Sequence, residues 1–160
     1  LMEAWKLVHA KYPEWKLEIY GTQNPGFSIK PLIDKYNLDT SVIINDPTKE
    51  IAKKFKKSSI HVLSSRYEGF GMVITEAMAC GLPSISFDCP YGPSDIITEG
   101  ENGLLVKNGD TMALGNALCK LIEDDAYRTM LGKNAKKSVN RYKIEEIAKQ
   151  WNSLFNELVK

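Results

Sequence analysis

Residues 59–88 read SIHVLSSRYEGFGMVITEAMACGLPSISFD, and how this stretch is read decides the fold. Ser59–Ser65 is a short, mostly apolar run, which predicts a strand. Arg66–Gly71, with glycines at 69 and 71, reads as a loop. From Met72 to about Cys80 small and apolar residues follow one another at helical spacing, and Pro83–Asp88 returns to a strand pattern. Strand, loop, helix and strand in this order make a βαβ unit, which requires parallel pairing.

The alternation extends in both directions. Upstream, Leu1, Trp5, Val8 and Tyr12 are spaced as on one face of a helix, and Lys16–Gly21 then reads as a strand. Ser28–Leu38 is helix-like, with Pro31 confining a regular helix to the residues after it. Ser41–Asp46 is strand-like. Ile51, Ala52 and Phe55 mark a short helix whose other face is Lys49, Lys53, Lys54, Lys56 and Lys57. Downstream, Gly103–Gly109 is the last strand. Leu114–Ile122 opens a helical region in which Asp124 and Asp125 read as a helix end, followed by a basic helix from about Tyr127 to Tyr142. A terminal helix aligns Ile144, Ile147, Trp151, Leu154, Phe155 and Leu158 on one stripe. The expected fold is a Rossmann-like, doubly wound α/β domain spanning 1–160, with a parallel sheet covered by helices on both faces. No strand pattern precedes the first helix, so the chain is expected to be part of a longer protein whose domain begins one strand earlier.

Composition narrows the function. Twenty-one basic and 20 acidic residues leave a net charge of +1, which argues against a dedicated nucleic-acid binder. No apolar run approaches the ~20 residues of a membrane span. Three widely spaced cysteines, Cys80, Cys89 and Cys119, suggest reduced thiols rather than disulfides or zinc, and hence a cytoplasmic setting. No D-x-D triplet appears, and no metal or cofactor is expected. His9 and His61 read as packing or surface residues. A dinucleotide fingerprint would need glycine where Ile74 stands, and a P-loop would need G-K-[ST].

In an open parallel sheet, ligands bind beyond the carboxyl ends of the strands, where the 65–71 loop must lie. Gly69 and Gly71 let the backbone approach a ligand, and the helix beginning near Met72 offers free N–H groups suited to a phosphate. The carboxylate of Glu76, about one turn in, accepts hydrogen bonds, as a pair of sugar hydroxyls would supply them. Glu68 is placed for a second hydroxyl-rich group. Each acid also has a plain structural reading, because acids near helix N-termini are favourable by about 0.3–1 kcal/mol. Arg66 faces either a diphosphate or solvent, and Asp95 is placed to cap the start of the short PSDII helix. The lysine-rich helix is either a solvated face or a contact for anionic lipid.

Glu68, seven residues and Glu76, within EGFGMVITEAMACGLPSI, resemble the E-x7-E signature of retaining GT-B glycosyltransferases, especially glycosyltransferase family 4. The likeness continues through CPYGPSDIITEGENGLLVKNGD (Cys89–Asp110), and LMEAWKLVHAKYPEWKLEIYG resembles the start of the family's donor-binding domain just after its first strand. The resemblance implies the C-terminal half of a GT-B fold. It implies that Glu76 holds ribose hydroxyls of a nucleotide-sugar donor and that Glu68 is the catalytic carboxylate beside the donor sugar. Backbone amides around Gly69, Phe70, Gly71 and Met72 would meet the sugar and distal phosphate. The base would lie by Asn45–Pro47, although the family's usual glycine is absent there. The family's R-x4-K pair, which neutralises the diphosphate, and its acceptor-binding N-terminal domain have no counterpart here, so the chain alone is expected to show little or no activity. The implied reaction is transfer of a hexose-type sugar to a hydroxyl acceptor, in bacterial surface polysaccharide or glycolipid synthesis, in the cytoplasm or at the inner face of the membrane. Two other readings stay open on the same scaffold: a non-catalytic nucleotide-sugar-binding module, and a GT-B epimerase as a distant third.

Overall fold

A computed structural model describes residues 1–22, 26 and 28–159. Helices and short strands alternate along it: α1 (Met2–Lys11), β1 (Leu17–Tyr20), α2 (Lys30–Lys35), β2 (Val42–Asn45), α3 (Ile51–Phe55), β3 (His61–Leu63), α4 (Met72–Ala79), β4 (Ser84–Asp88), α5 (Pro93–Ile96) and β5 (Gly103–Lys107). Four helical segments close the chain: α6 (Thr111–Glu123), α7 (Asp125–Ser138), a 3₁₀ turn (Val139–Tyr142) and α8 (Ile144–Leu158). All pairings are parallel, in two sheets ordered β1-β2 and β3-β4-β5. Leu17 lies opposite Val42, Val62 opposite Ile85, and Ile85 opposite Leu104.

Strand side chains alternate between two layers of helices. Ile85, Phe87 and Leu104 pack with Trp5 and Val8 of α1 and with Leu114, Leu118 and Leu121 of α6. Leu63 and Leu105 point the other way, against Ile74 and Met78 of α4 and Ala135 of α7. The α/β fold with helices on both faces is therefore as the alternation predicts. On the α4–α7 side β4 shows the buried Ser84 and Ser86 and ends at the exposed Asp88. There α7 comes close to the turn after α4: a Cβ on Gly132 would stand 2.4 Å from the Gly81 carbonyl oxygen. Across the first layer the buried Trp5 indole donates to the Ser41 hydroxyl at 3.1 Å.

Three local readings are corrected. Asp124 does close α6, but its carboxylate also accepts the Tyr127 amide at 2.8 Å and so starts α7, which Asp125 opens rather than ends. The basic helix stops at Ser138, and a 3₁₀ turn takes the chain to Tyr142. The terminal helix α8 is as read, and Ile144, Trp151, Leu154, Phe155 and Leu158 of its apolar stripe are exposed. Pro31 sits in the first turn of α2, which begins one residue before it.

Candidate active site

β3 ends at Leu63, and residues 64–71 carry the chain across the carboxyl edge of the sheet into α4. The turn into the helix depends on Gly71, which is buried with φ +86, a left-handed conformation that L residues avoid. Among the described residues no side chain caps α4. The Ile74 amide folds back onto the Gly71 carbonyl at 2.8 Å, and the Thr75 hydroxyl donates to the Met72 carbonyl at 2.7 Å. The first-turn amides of Met72 and Val73 are left as outward donors at the positive end of the helix.

The two acids flank this end. Glu68 is half-buried on the loop, and Glu76 is exposed one turn into α4. Ile74, Ala77 and Met78 form the buried face of α4, while Met72, Glu76 and Ala79 share the other. Helical side chains tilt toward the N-terminus, and Glu76 stands at i+4 from Met72, on the same face of α4. Arg66 is exposed, and its carbonyl accepts from the Asn108 amide group at 3.0 Å, which ties the loop to the end of β5. Gly69 has no atom within 4 Å of where a Cβ would stand. Asn45 lies at the carboxyl end of β2, in the other sheet. No hydrogen bond joins it to the Glu68 loop among the described residues.

A second loop, residues 89–92, forms the wall beside the first. The Cys89 thiol is buried near Glu68, and burial, reinforced by the Glu68 and Asp88 carboxylates, pushes its pKa up. It is a protonated packing group, not a nucleophile. Gly92 presses on Phe70 backbone to backbone, leaving no room for a side chain. Tyr91 beside it is exposed with φ +65, a strained conformation for a bulky residue. Asp95 takes the Gly92 amide on its carboxylate at 3.2 Å, so the capping reading of Asp95 is the one the geometry shows.

Residues far along the chain brace both loops. The Phe70 ring meets Tyr142 edge-on, with centroids 5.5 Å apart. The Tyr142 hydroxyl and the Arg141 guanidinium donate to the Asp95 carbonyl at 2.9 and 2.7 Å. Buried Asn102 takes the Thr98 amide at 2.8 Å and donates to Ser138 at 3.0 Å. These are positioning residues, and sequence reasoning missed them. For Asn102 the Asn-Gly pair was a turn signal; for Arg141 and Tyr142 nothing local marked them. His9 on α1 and His61 on β3 stand apart from the loop, and among the described residues no cluster of His, Cys, Asp and Glu is arranged to hold a metal.

The arrangement offers aligned amide donors for an anion, with hydroxyl acceptors on either side, at the edge where parallel sheets bind ligands. Residues 1–138 match the Glycosyl transferases group 1 family. The chain belongs to that family. It is 34% identical over 156 residues to the amylovoran biosynthesis glycosyltransferase AmsD of Erwinia amylovora, covering 98% of this chain and 43% of that protein. It is 34% identical over 149 residues to an exopolysaccharide phosphotransferase of Streptomyces coelicolor, covering 92% of this chain and 16% of that protein. Among solved structures, a point mutant of S. aureus TarM, in complex with fondaparinux, alpha-GlcNAc-glycerol and UDP, superposes with a TM-score of 0.89 at 31% identity. That match covers 97% of this chain and 32% of TarM. The chain thus spans less than half of each of these relatives. Among the described residues, no helix is long and apolar enough to cross a membrane.

Proposed function

We propose that this domain is the donor-binding half of a retaining glycosyltransferase of family 4, moving a hexose-type sugar from a nucleoside diphosphate to a hydroxyl acceptor. The observation that carries this reading is the uncapped start of α4, with Glu68 on the approaching loop and Glu76 one turn inside. In the ground state the diphosphate rests on the Met72 and Val73 amides, and Glu76 accepts hydrogen bonds from the ribose hydroxyls. As the glycosidic bond breaks, charge grows on the leaving diphosphate. Fixed helix-terminal dipoles stabilise that charge without having to reorganise, aided by Arg66. Glu68 lies on the donor-sugar side, Gly69 and Phe70 give the sugar close access to the backbone, and Asn45 marks the base end.

Bacterial surface polysaccharide or glycolipid synthesis suits the reading, since AmsD is named for amylovoran biosynthesis. We place the enzyme in the cytoplasm or at the inner face of the membrane, with the acceptor held by a further domain and no metal needed. The chain alone then binds donor without turnover. A second reading, a non-catalytic nucleotide-sugar-binding module, is favoured by one observation: in the Streptomyces phosphotransferase the matched region is only 16% of a protein named for a different transfer.

Calorimetric titration of UDP into the chain and into Glu76→Ala tests the site. Losing hydrogen bonds to a charged group costs about 1.5–3 kcal/mol, or roughly 10–100-fold in Kd. Equal affinity for UDP in both proteins would remove Glu76 from the site.

A further inference from the structure

The two loops that meet at the candidate site run side by side. The Glu68 backbone amide donates to the Cys89 sulfur, and Gly92 presses on the Phe70 backbone. That register sets Tyr91 alongside Gly69 and Phe70. Gly69 borders open space, since a Cβ there would meet no atom within 4 Å. Four exposed large apolar side chains belong to the two loops and the first residue of α4: Tyr67, Phe70, Met72 and Tyr91. An exposed apolar cluster beside open backbone is a surface that a ligand covers.

Tyr91 differs from the rest. Phe70 is 39% exposed and rests edge-on against Tyr142, whereas Tyr91 is 70% exposed. Among the described residues, no ring, cation or hydrogen-bond partner meets the Tyr91 side chain. Its backbone is held at φ +65, where the chain turns into Gly92 (φ +89) and α5. Glycine or asparagine adopts that conformation readily, and a bulky residue is strained in it. The exposed ring gives the domain no packing in return. Strain retained beside a ligand site points to a role in that site. An aromatic ring with a polar tip matches a sugar ring, which has an apolar C–H face and hydroxyls at its rim.

We infer that Tyr91 is a stacking platform for a pyranose ring, and so a specificity-determining residue of this site. The inference rests on the nucleotide-sugar reading above. Two sources offer the same C–H face: the donor's own sugar, or a sugar carried by the acceptor.

Three variants separate the ring from the loop. Tyr91→Gly and Tyr91→Asn keep the backbone conformation without the ring, and Tyr91→Phe keeps the ring. The first two should melt no lower than the parent chain. In calorimetric titrations all three should bind UDP within about twofold of the parent. Losing the cover of two or so sugar carbons weakens binding by about fivefold or more. In the Gly and Asn variants that loss falls on UDP-glucose if the platform serves the donor's sugar. It falls on methyl α-glucoside, titrated by NMR with UDP saturating, if the platform serves the acceptor's. Tyr91→Phe should stay within about twofold of the parent for both. Losses under fivefold for both sugars overturn the inference. So does an equal loss for UDP, an equal loss in Tyr91→Phe, or a melting temperature in the Gly and Asn variants below the parent's. A parent chain that binds no UDP overturns the donor-binding reading first, and this inference with it.

Discussion

Replacing Gly92 by alanine tests how the two walls of the candidate site hold each other. A Cβ on Gly92 would stand 2.2 Å from the Phe70 carbonyl oxygen, 2.5 Å from its carbon and 2.9 Å from Cα. Carbon–oxygen contacts ordinarily begin near about 3.3 Å, so the loops must part by about 1 Å. All three clashing atoms are backbone, so no rotamer change relieves them. Gly92 also has φ +89 and ψ −70, a region costing a side chain of order 1–3 kcal/mol. Adding an overpacking cost of about 1–3 kcal/mol gives about 2–6 kcal/mol, a large share of the roughly 5–15 kcal/mol that holds a domain folded. At about 2–4 °C per kcal/mol for this size, thermal unfolding should shift down by roughly 5–20 °C. Gly100→Ala is the matched control: Gly100 has φ +74, but its nearest neighbour, the Tyr127 hydroxyl, would be 3.6 Å away, so it carries strain without the clash. Urea and thermal unfolding of both variants separate the two costs. If Gly92→Ala is no less stable than Gly100→Ala, the backbone contact does not hold the loops, and the reasoning fails.

Gly132→Ala should gain about 1 kcal/mol in helix propensity yet destabilise on balance, because its Cβ meets the Gly81 carbonyl at 2.4 Å; a urea midpoint at or above the parent's would contradict this. Ser41→Ala strands the buried Trp5 indole N–H and should cost about 1–3 kcal/mol, read as a lower urea midpoint with unchanged slope. Burial holds the His61 imidazole pKa down to about 4 from 6.5. The unfolded chain therefore takes up this proton first as pH falls. Stability from His61 is complete above pH 6.5 and is lost progressively toward pH 4, by about 3 kcal/mol at 1.36 kcal/mol per unit. In His61→Gln, stability measured across that window should lose this part of its slope, and an unchanged slope would assign it to other groups.

The βα alternation was legible because each strand is a short apolar run between turn residues, as in Val42–Asn45 and Gly103–Lys107. The Glu68 and Glu76 spacing was legible for the same reason: a loop and one helix turn are local objects. The rest is set by contacts distant in the chain. α7 ends at Ser138 because the following turn lets Arg141 and Tyr142 reach carbonyls of α5, more than 40 residues earlier, and helical periodicity carries no trace of that. The double use of Asp124 was hidden because no glycine or proline separates α6 from α7. In α8 the pattern gave the helix correctly but could not say whether its stripe meets a partner.

That stripe gives the molecule an optical handle. Of its tryptophans, Trp5 is 3% exposed and Trp15 partly enclosed, whereas Trp151 is 53% exposed and stacks at a tilt on Phe155, with centroids 5.5 Å apart. Red-shifted emission quenched by iodide therefore comes from α8 and blue emission from the interior. Anything that settles onto the last helix will announce itself as a spectral shift separable from unfolding.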